Sequence, residues 1–142
     1  MHKTIHDSRN KTFVMFTPFE IPIHEIEETD MVKNGPAKKL SIYVDEADKF
    51  HGKPIYEVLI DILFKRKIAG VSVFRGVAGY GSDGVLHTSK ILELSTTLPV
   101  KIEAVDSEEM INDILPDVTS IVEKGLIEVS DTSVIKCCTK QK

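Results

Sequence analysis

Three groups of residues in this chain have the types and spacing that chemistry requires. The first is Asp83, His87, Thr88 and Ser89, a histidine close to a carboxylate and two hydroxyls. These invite a nucleophile-and-base reading, but a triad is defined by geometry, and no nucleophile elbow frames them. A loop histidine bonded to backbone or ligand is the expectation. The second group is Glu46, Asp48 and His51, whose carboxylates suit acid–base work. A solvated loop ahead of a helix is the simpler reading. The third is the run Gly76, Gly79, Gly81 and Gly84, within a stretch from Gly70 to Ser89 that holds five of the eight glycines. Glycine admits positive φ and close approach of a ligand or another backbone, and successive N–H groups in such a loop cradle anions. Gly79 to Gly84 matches G-x-G-x-x-G, yet Val85-Leu86-His87 starts a helix poorly and no Gly-Lys-Ser/Thr occurs, so neither a dinucleotide fold nor a Walker loop is predicted. A flexible surface hairpin competes with the ligand-binding reading.

The totals narrow the function further. The chain has 142 residues, 42% hydrophobic and 28% charged, with a net charge of -4 and no tryptophan. That is one globular domain by length, without the basic surplus or aromatic platform of a nucleic-acid binder. Lys65-Arg66-Lys67 reads as the last turn of a helix, where cations complement the dipole. His2, His6 and His24 lie among carboxylates, but no spacing matches a metal site, and none is expected. Cys137 and Cys138 are neighbours, which cannot staple a fold, and they suit a reducing compartment. No run approaches a membrane span and no signal-peptide pattern opens the chain, so a cytoplasmic protein without membrane insertion is expected.

The elements that would position these groups begin after residue 37. Residues 1–37 read as an N-terminal extension, partly disordered, with apolar residues between Phe13 and Ile26, prolines at 18 and 22, and an acidic run before Asn34-Gly35-Pro36. Met31 stands within it as an alternative start. In residues 38–142, Leu40, Ile42 and Val44 alternate as in a half-buried strand, and Ile55, Val58, Leu59, Ile62 and Leu63 mark one face of a helix. Pro54 opens that helix and Gly70 is expected to cap it. Val71–Phe74 is a second strand, Val85–Leu98 a partly ordered excursion, and Val100, Ile102 and Ala104 a third strand. Ser107 caps a second helix that Pro116 is expected to kink or divide. Leu126–Val129 and Thr132–Cys137 read as two short closing strands. The order predicts an α+β, ferredoxin-like βαββαβ fold: an antiparallel sheet with two helices on one face, leaving the other open to oligomerisation.

Several of these segments also resemble a known family. Leu40-Ser-Ile-Tyr-Val-Asp-Glu46, Gly52-Lys53-Pro54-Ile-Tyr56-Glu57, Ala69 through Gly81, His87-Thr-Ser89, Leu98-Pro99-Val100 and Val105-Asp106 occur in the order and spacing of an uncharacterised bacterial and archaeal family of PII-like proteins. The resemblance spans about residues 38 to 136. It implies the fold of nitrogen-regulatory PII proteins, trimers that bind adenine nucleotides between subunits and dock a long loop onto transporters and enzymes.

The Gly79-Tyr80-Gly81 step is similar to the base of that loop, although Ala78 replaces the PII lysine and Ser82-Asp83 its arginine–glutamine pair. Lys124 and Lys136 are similarly placed to the phosphate-contacting basic residues of PII. The implied ligand set is Arg75, Gly76, Gly79, Tyr80, Gly81, His87, Ser89, Lys124 and Lys136, and the implied ligand ATP, ADP or AMP. The resemblance thus points to a non-catalytic homotrimeric signalling protein whose loop regulates a membrane transporter or enzyme. The alternatives are a small enzyme using His87 with Glu46 and Asp48, or a structural interaction module.

Overall fold

A computed structural model describes residues 3–6, 12–15, 34–88 and 97–137. The chain divides into two compact units, Met1–Met31 and Val32–Lys142. In the first, β1 (Lys3–His6) and β2 (Thr12–Met15) form an antiparallel pair with Lys3 opposite Met15. The polar composition of residues 1–11 gave no sign of this hairpin. His2, His24, Pro18, Pro22 and Met31 lie outside the described residues.

The second unit has the expected α+β architecture. Its strands are β3 (Gly35–Asp45), the short pair β4 (Lys49–Phe50) and β5 (Lys53–Pro54), then β6 (Val71–Arg75), the second short pair β7 (Ala78–Gly79) and β8 (His87–Thr88), β9 (Pro99–Asp106) and β10 (Leu126–Val134). Helices α1 (Ile55–Lys65) and α2 (Glu108–Ile121) complete it. The main sheet is antiparallel in the order β10-β3-β9-β6, the ferredoxin-like arrangement. Leu40, Ile42 and Val44 from β3 and Val100, Ile102 and Ala104 from β9 alternate onto one face, where Leu59 and Leu63 of α1 and Ile111, Ile114 and Val118 of α2 bury them. Each large aliphatic side chain so buried contributes about 1.5–3 kcal/mol.

Three local expectations are corrected. Gly70 does not cap α1. The helix closes at Arg66, and Lys67 takes the left-handed conformation at φ +60. The Lys67 N–H donates to the Phe64 carbonyl and the Ile68 N–H to that of Leu63, both at 3.0 Å, while buried Leu63 and Ile68 supply the apolar contact of a Schellman end. Nor does Pro116 divide α2, which runs from Glu108 to Ile121 as one helix capped by the Ser107 hydroxyl. The carbonyl that Pro116 leaves unpaired belongs to exposed Asn112, within reach of water. Finally, the two expected closing strands are one. Asp131 breaks the apolar alternation but is held by Lys38 of β3, with Lys38 Nζ 2.5 Å from Asp131 Oδ1, so pairing continues from Leu126↔Tyr43 to Val134↔Gly35.

One glycine fixes the turn from α2 into β10. Gly125 has φ +134, and a Cβ there would stand 2.3 Å from the Tyr43 carbonyl oxygen. Gly125→Ala is expected to cost about 3 kcal/mol, through both the backbone conformation and the clash. Lys67→Gly should instead gain about 1 kcal/mol by relieving a left-handed residue. Urea unfolding of the two variants against the parent measures both.

Candidate functional site

The sheet ends where β3 and β6 finish and β9 and β10 begin, and most of the chemistry-bearing residues gather there. The glycine run leaves β6 at Arg75 and doubles back as the β7–β8 hairpin, with Ala78 opposite Thr88 and Gly79 opposite His87. Its first two glycines are accounted for by Pro99 at the start of β9. The Gly76 N–H donates to the Pro99 carbonyl at 2.7 Å, and a Cβ at Gly76 would lie 2.7 Å from Pro99 Cγ. A Cβ at Gly79 would lie 3.0 Å from the same atom. The close approach that these glycines permit is therefore one of chain to chain. Gly84 serves the tip, at φ +68, with its N–H donating to the Gly81 carbonyl at 3.0 Å. Gly81 itself faces open space.

Beyond the glycines, Tyr80 is 75% exposed and flanked by exposed Val77, Val85 and Leu86. Arg75 forks onto Glu46, with Nε and Nη2 at 3.1 and 2.8 Å from Oε2. His87 is held by Thr97, Nδ1 to Oγ1 at 2.8 Å. Its Nε2 is shielded from water without a hydrogen bond, 3.7 Å from Asp83 Oδ2. The Val85 N–H donated to Asp83 Oδ1 holds that carboxyl below its usual value, and the neighbouring His87 acts in the same direction. Ser89 lies outside the described residues.

The structure does not join the three acid–base candidates. Among the described residues no hydrogen bond or ion pair links His87 to Glu46 or Asp48. Glu46 is engaged by Arg75, and Asp48 Oδ2 accepts the Asp45 N–H at 3.1 Å. The two lysines also separate. Lys124 precedes Gly125 at the sheet end that carries the glycine hairpin, whereas Lys136 follows β10 beside Asn34 at the far end, roughly 30 Å away along the strand. Within one subunit only Lys124 is near the hairpin's end of the sheet. Lys65-Arg66-Lys67 is no free basic patch either: Lys65 pairs with Asp61 and Arg66 with Asp113 and Asp117 of α2.

Lys124 lines a cavity of about 300 Å³ together with Lys49 and His51. Its apolar floor is Phe50, Ile55 and Ile121, and Asp48 and Glu123 line it as well. Sequence reasoning missed this site, because it joins residues some 70 positions apart. The legible signal was the hairpin itself: His51-Gly52 between Lys49-Phe50 and Lys53-Pro54 is a two-residue turn with both φ values positive, +47 and +82.

Among the described residues of the second unit, no element covers the sheet face away from the helices. The register aligns Phe74, Lys101, Tyr43 and Leu126 in one row across it, with Phe74 52% and Leu126 55% exposed. Lys101 pairs with Glu103 at 2.6 Å and sits 5.5 Å from the centre of the Tyr43 ring. Among the described residues no helix is long and apolar enough to cross a membrane, and no group of histidines, cysteines and carboxylates gathers as metal ligands would.

Residues 37–134 match DUF190, the family described as "Uncharacterized ACR". A UPF0166 protein of Methanocaldococcus jannaschii, MJ1524, is 44% identical over 101 residues, covering 70% of this chain and 93% of its own length. A UPF0166 protein of Aquifex aeolicus is 37% identical over 98 residues, covering 69% of this chain and 92% of that one. Among solved structures, the chain is similar to CPII, a nitrogen regulatory PII-like protein from Thiomonas intermedia K12 bound to ADP, AMP and bicarbonate. The TM-score is 0.57 at 25% identity, over 74% of this chain and 93% of that one. A second CPII structure with ADP and bicarbonate gives a TM-score of 0.56.

Because Asp83 is depressed, whatever it contributes to the hairpin is present above its unfolded pKa and is lost as pH falls through its lower folded value. The Val85 amide resonance should therefore titrate with a midpoint below 3.8, the ordinary aspartate value, and should stop titrating in Asp83→Asn.

Proposed function

The chain belongs to the DUF190 family of UPF0166 proteins, and from that membership we propose a non-catalytic PII-like regulatory protein, a cytoplasmic homotrimer that binds an adenine nucleotide between its subunits. The observation that carries this reading is the match of its ferredoxin-like unit to CPII, whose structures hold ADP and AMP. The uncovered sheet face supports assembly, since its half-exposed Phe74 and Leu126 gain from burial against like faces. Three copies place the far end of one sheet beside the glycine hairpin of the next. In that arrangement Lys136 of one copy and Lys124 of another reach phosphates that neither holds alone. Tyr80 stacks on the base, the hairpin amides and Arg75 complete the cleft, and ligand occupancy sets which hairpin conformation a transporter or enzyme partner meets.

Calorimetry against ATP, ADP and AMP, with light scattering on the same sample, tests it. At least one nucleotide should bind below the millimolar range, and the mass should be that of a trimer. Tyr80→Ala should weaken binding by at least about tenfold through lost stacking, and Gly79→Val should abolish it by forcing the hairpin off Pro99. A monomer that binds none of the three overturns the reading.

A further inference from the structure

The cavity beside the β4–β5 hairpin has, apart from Lys124, a lining that the nucleotide reading does not use. Gly125, pressed on the Tyr43 carbonyl, fixes the course of the chain after α2 and so sets Lys124 opposite a hairpin encoded about 70 residues earlier. Lys49 from β4 and His51 from the turn face the same cavity. Lys38, Lys65, Lys101, Arg66 and Arg75 have carboxylate partners; among the described residues Lys49 and Lys124, like Lys39 and Lys53, have none within ion-pairing distance. Asp48 has turned its Oδ2 to the Asp45 N–H. Two carboxylates, Asp48 and Glu123, thus share the lining with two lysines and a histidine, and one oxygen of Asp48 is already committed.

The hairpin also stores strain where it need not. His51 holds φ +47, a conformation that a glycine would adopt without cost, and its ring meets Phe50 edge-on at 4.3 Å. Apolar Phe50, Ile55 and Ile121 form the floor below these cations. At about 300 Å³ the space is of the size that takes a small molecule.

We propose that this cavity is a second ligand site, contained within one subunit, for a flat ring carrying a single phosphate or carboxylate group. The ring lies on the Phe50–Ile55–Ile121 floor. The anionic group accepts hydrogen bonds from Lys49, Lys124 and His51, those from the two lysines being charge-assisted. Lys124 is shared with the proposed nucleotide cleft, whereas Lys49, Phe50 and His51 lie outside it, so those three residues distinguish this site from that one.

The test is an NMR titration of the full-length, ¹⁵N-labelled protein with phenyl phosphate, benzoate, inorganic phosphate and phenol. Phenyl phosphate or benzoate should move the Phe50, His51 and Lys124 amides with saturation, at least about tenfold more tightly than inorganic phosphate or phenol, since each of those offers only half the recognition. Lys49→Gln, which leaves the proposed nucleotide cleft intact, should weaken that binding by at least about fivefold. His51→Gly separates function from folding: it should raise the melting temperature by relieving the turn while lowering affinity. The proposal is overturned if no probe saturates by about 10 mM, a bound on useful affinity. Shifts confined to other regions, or unchanged affinity in Lys49→Gln, overturn it equally.

Discussion

One-sided burial governs this protein. Two helices press on a single face of a four-stranded sheet, and the core they close is made of alternate residues of the central strands β3 and β9. Because the strand period is two, the same strands must show their other residues on the opposite face, where Lys101, Glu103, Tyr43 and Phe74 form a mixed surface that neither α1 nor α2 covers. The chain is similar in fold to PII-like CPII, and the exposed Phe74 and Leu126 on this face are apolar surface whose burial would be favourable.

The periodic part of the fold was legible in the sequence. Leu40, Ile42 and Val44, the Ile55–Leu63 stripe and the Ser107 cap each carry their own signal, because burial on one face forces a repeat that survives in composition. What failed to show were features set by a distant partner. Lys67 takes the left-handed place at the end of α1 because Leu63 and Ile68 pack around it, whereas Gly70, the obvious candidate by type, is not used there. Asp131 looks like a strand break until Lys38 is seen across the ladder. Pro116 looks like a helix break until the carbonyl it orphans proves to be that of exposed Asn112.

The candidate site was legible only as a list of residues, and the structure sorts that list by cause. Glycine spacing attracted a phosphate-loop comparison, yet Gly76 and Gly79 owe their identity to Pro99 and Gly84 to a tight turn. Gly81 and Tyr80, facing open space and solvent, are the members free for a ligand or partner. Lys124 and Lys136 seemed equivalent on the sequence but sit at opposite ends of the sheet. Of the cavity built from β4, its turn and the end of α2, only the His51-Gly52 hairpin carries a sequence signal, since its walls meet only once the chain has folded.

The Arg75–Glu46 fork has a mechanical consequence. Arg75 is the last residue of β6, from which the glycine hairpin springs, and Glu46 is the first residue of the loop that becomes the β4–β5 hairpin. Two excursions that differ in sequence, sheet and surroundings thus share a tether at their roots. A displacement at either root strains the guanidinium–carboxylate pair, so the free energy of settling one excursion depends on the posture of the other. The end of this sheet acts as a linked pair of levers on a common pivot.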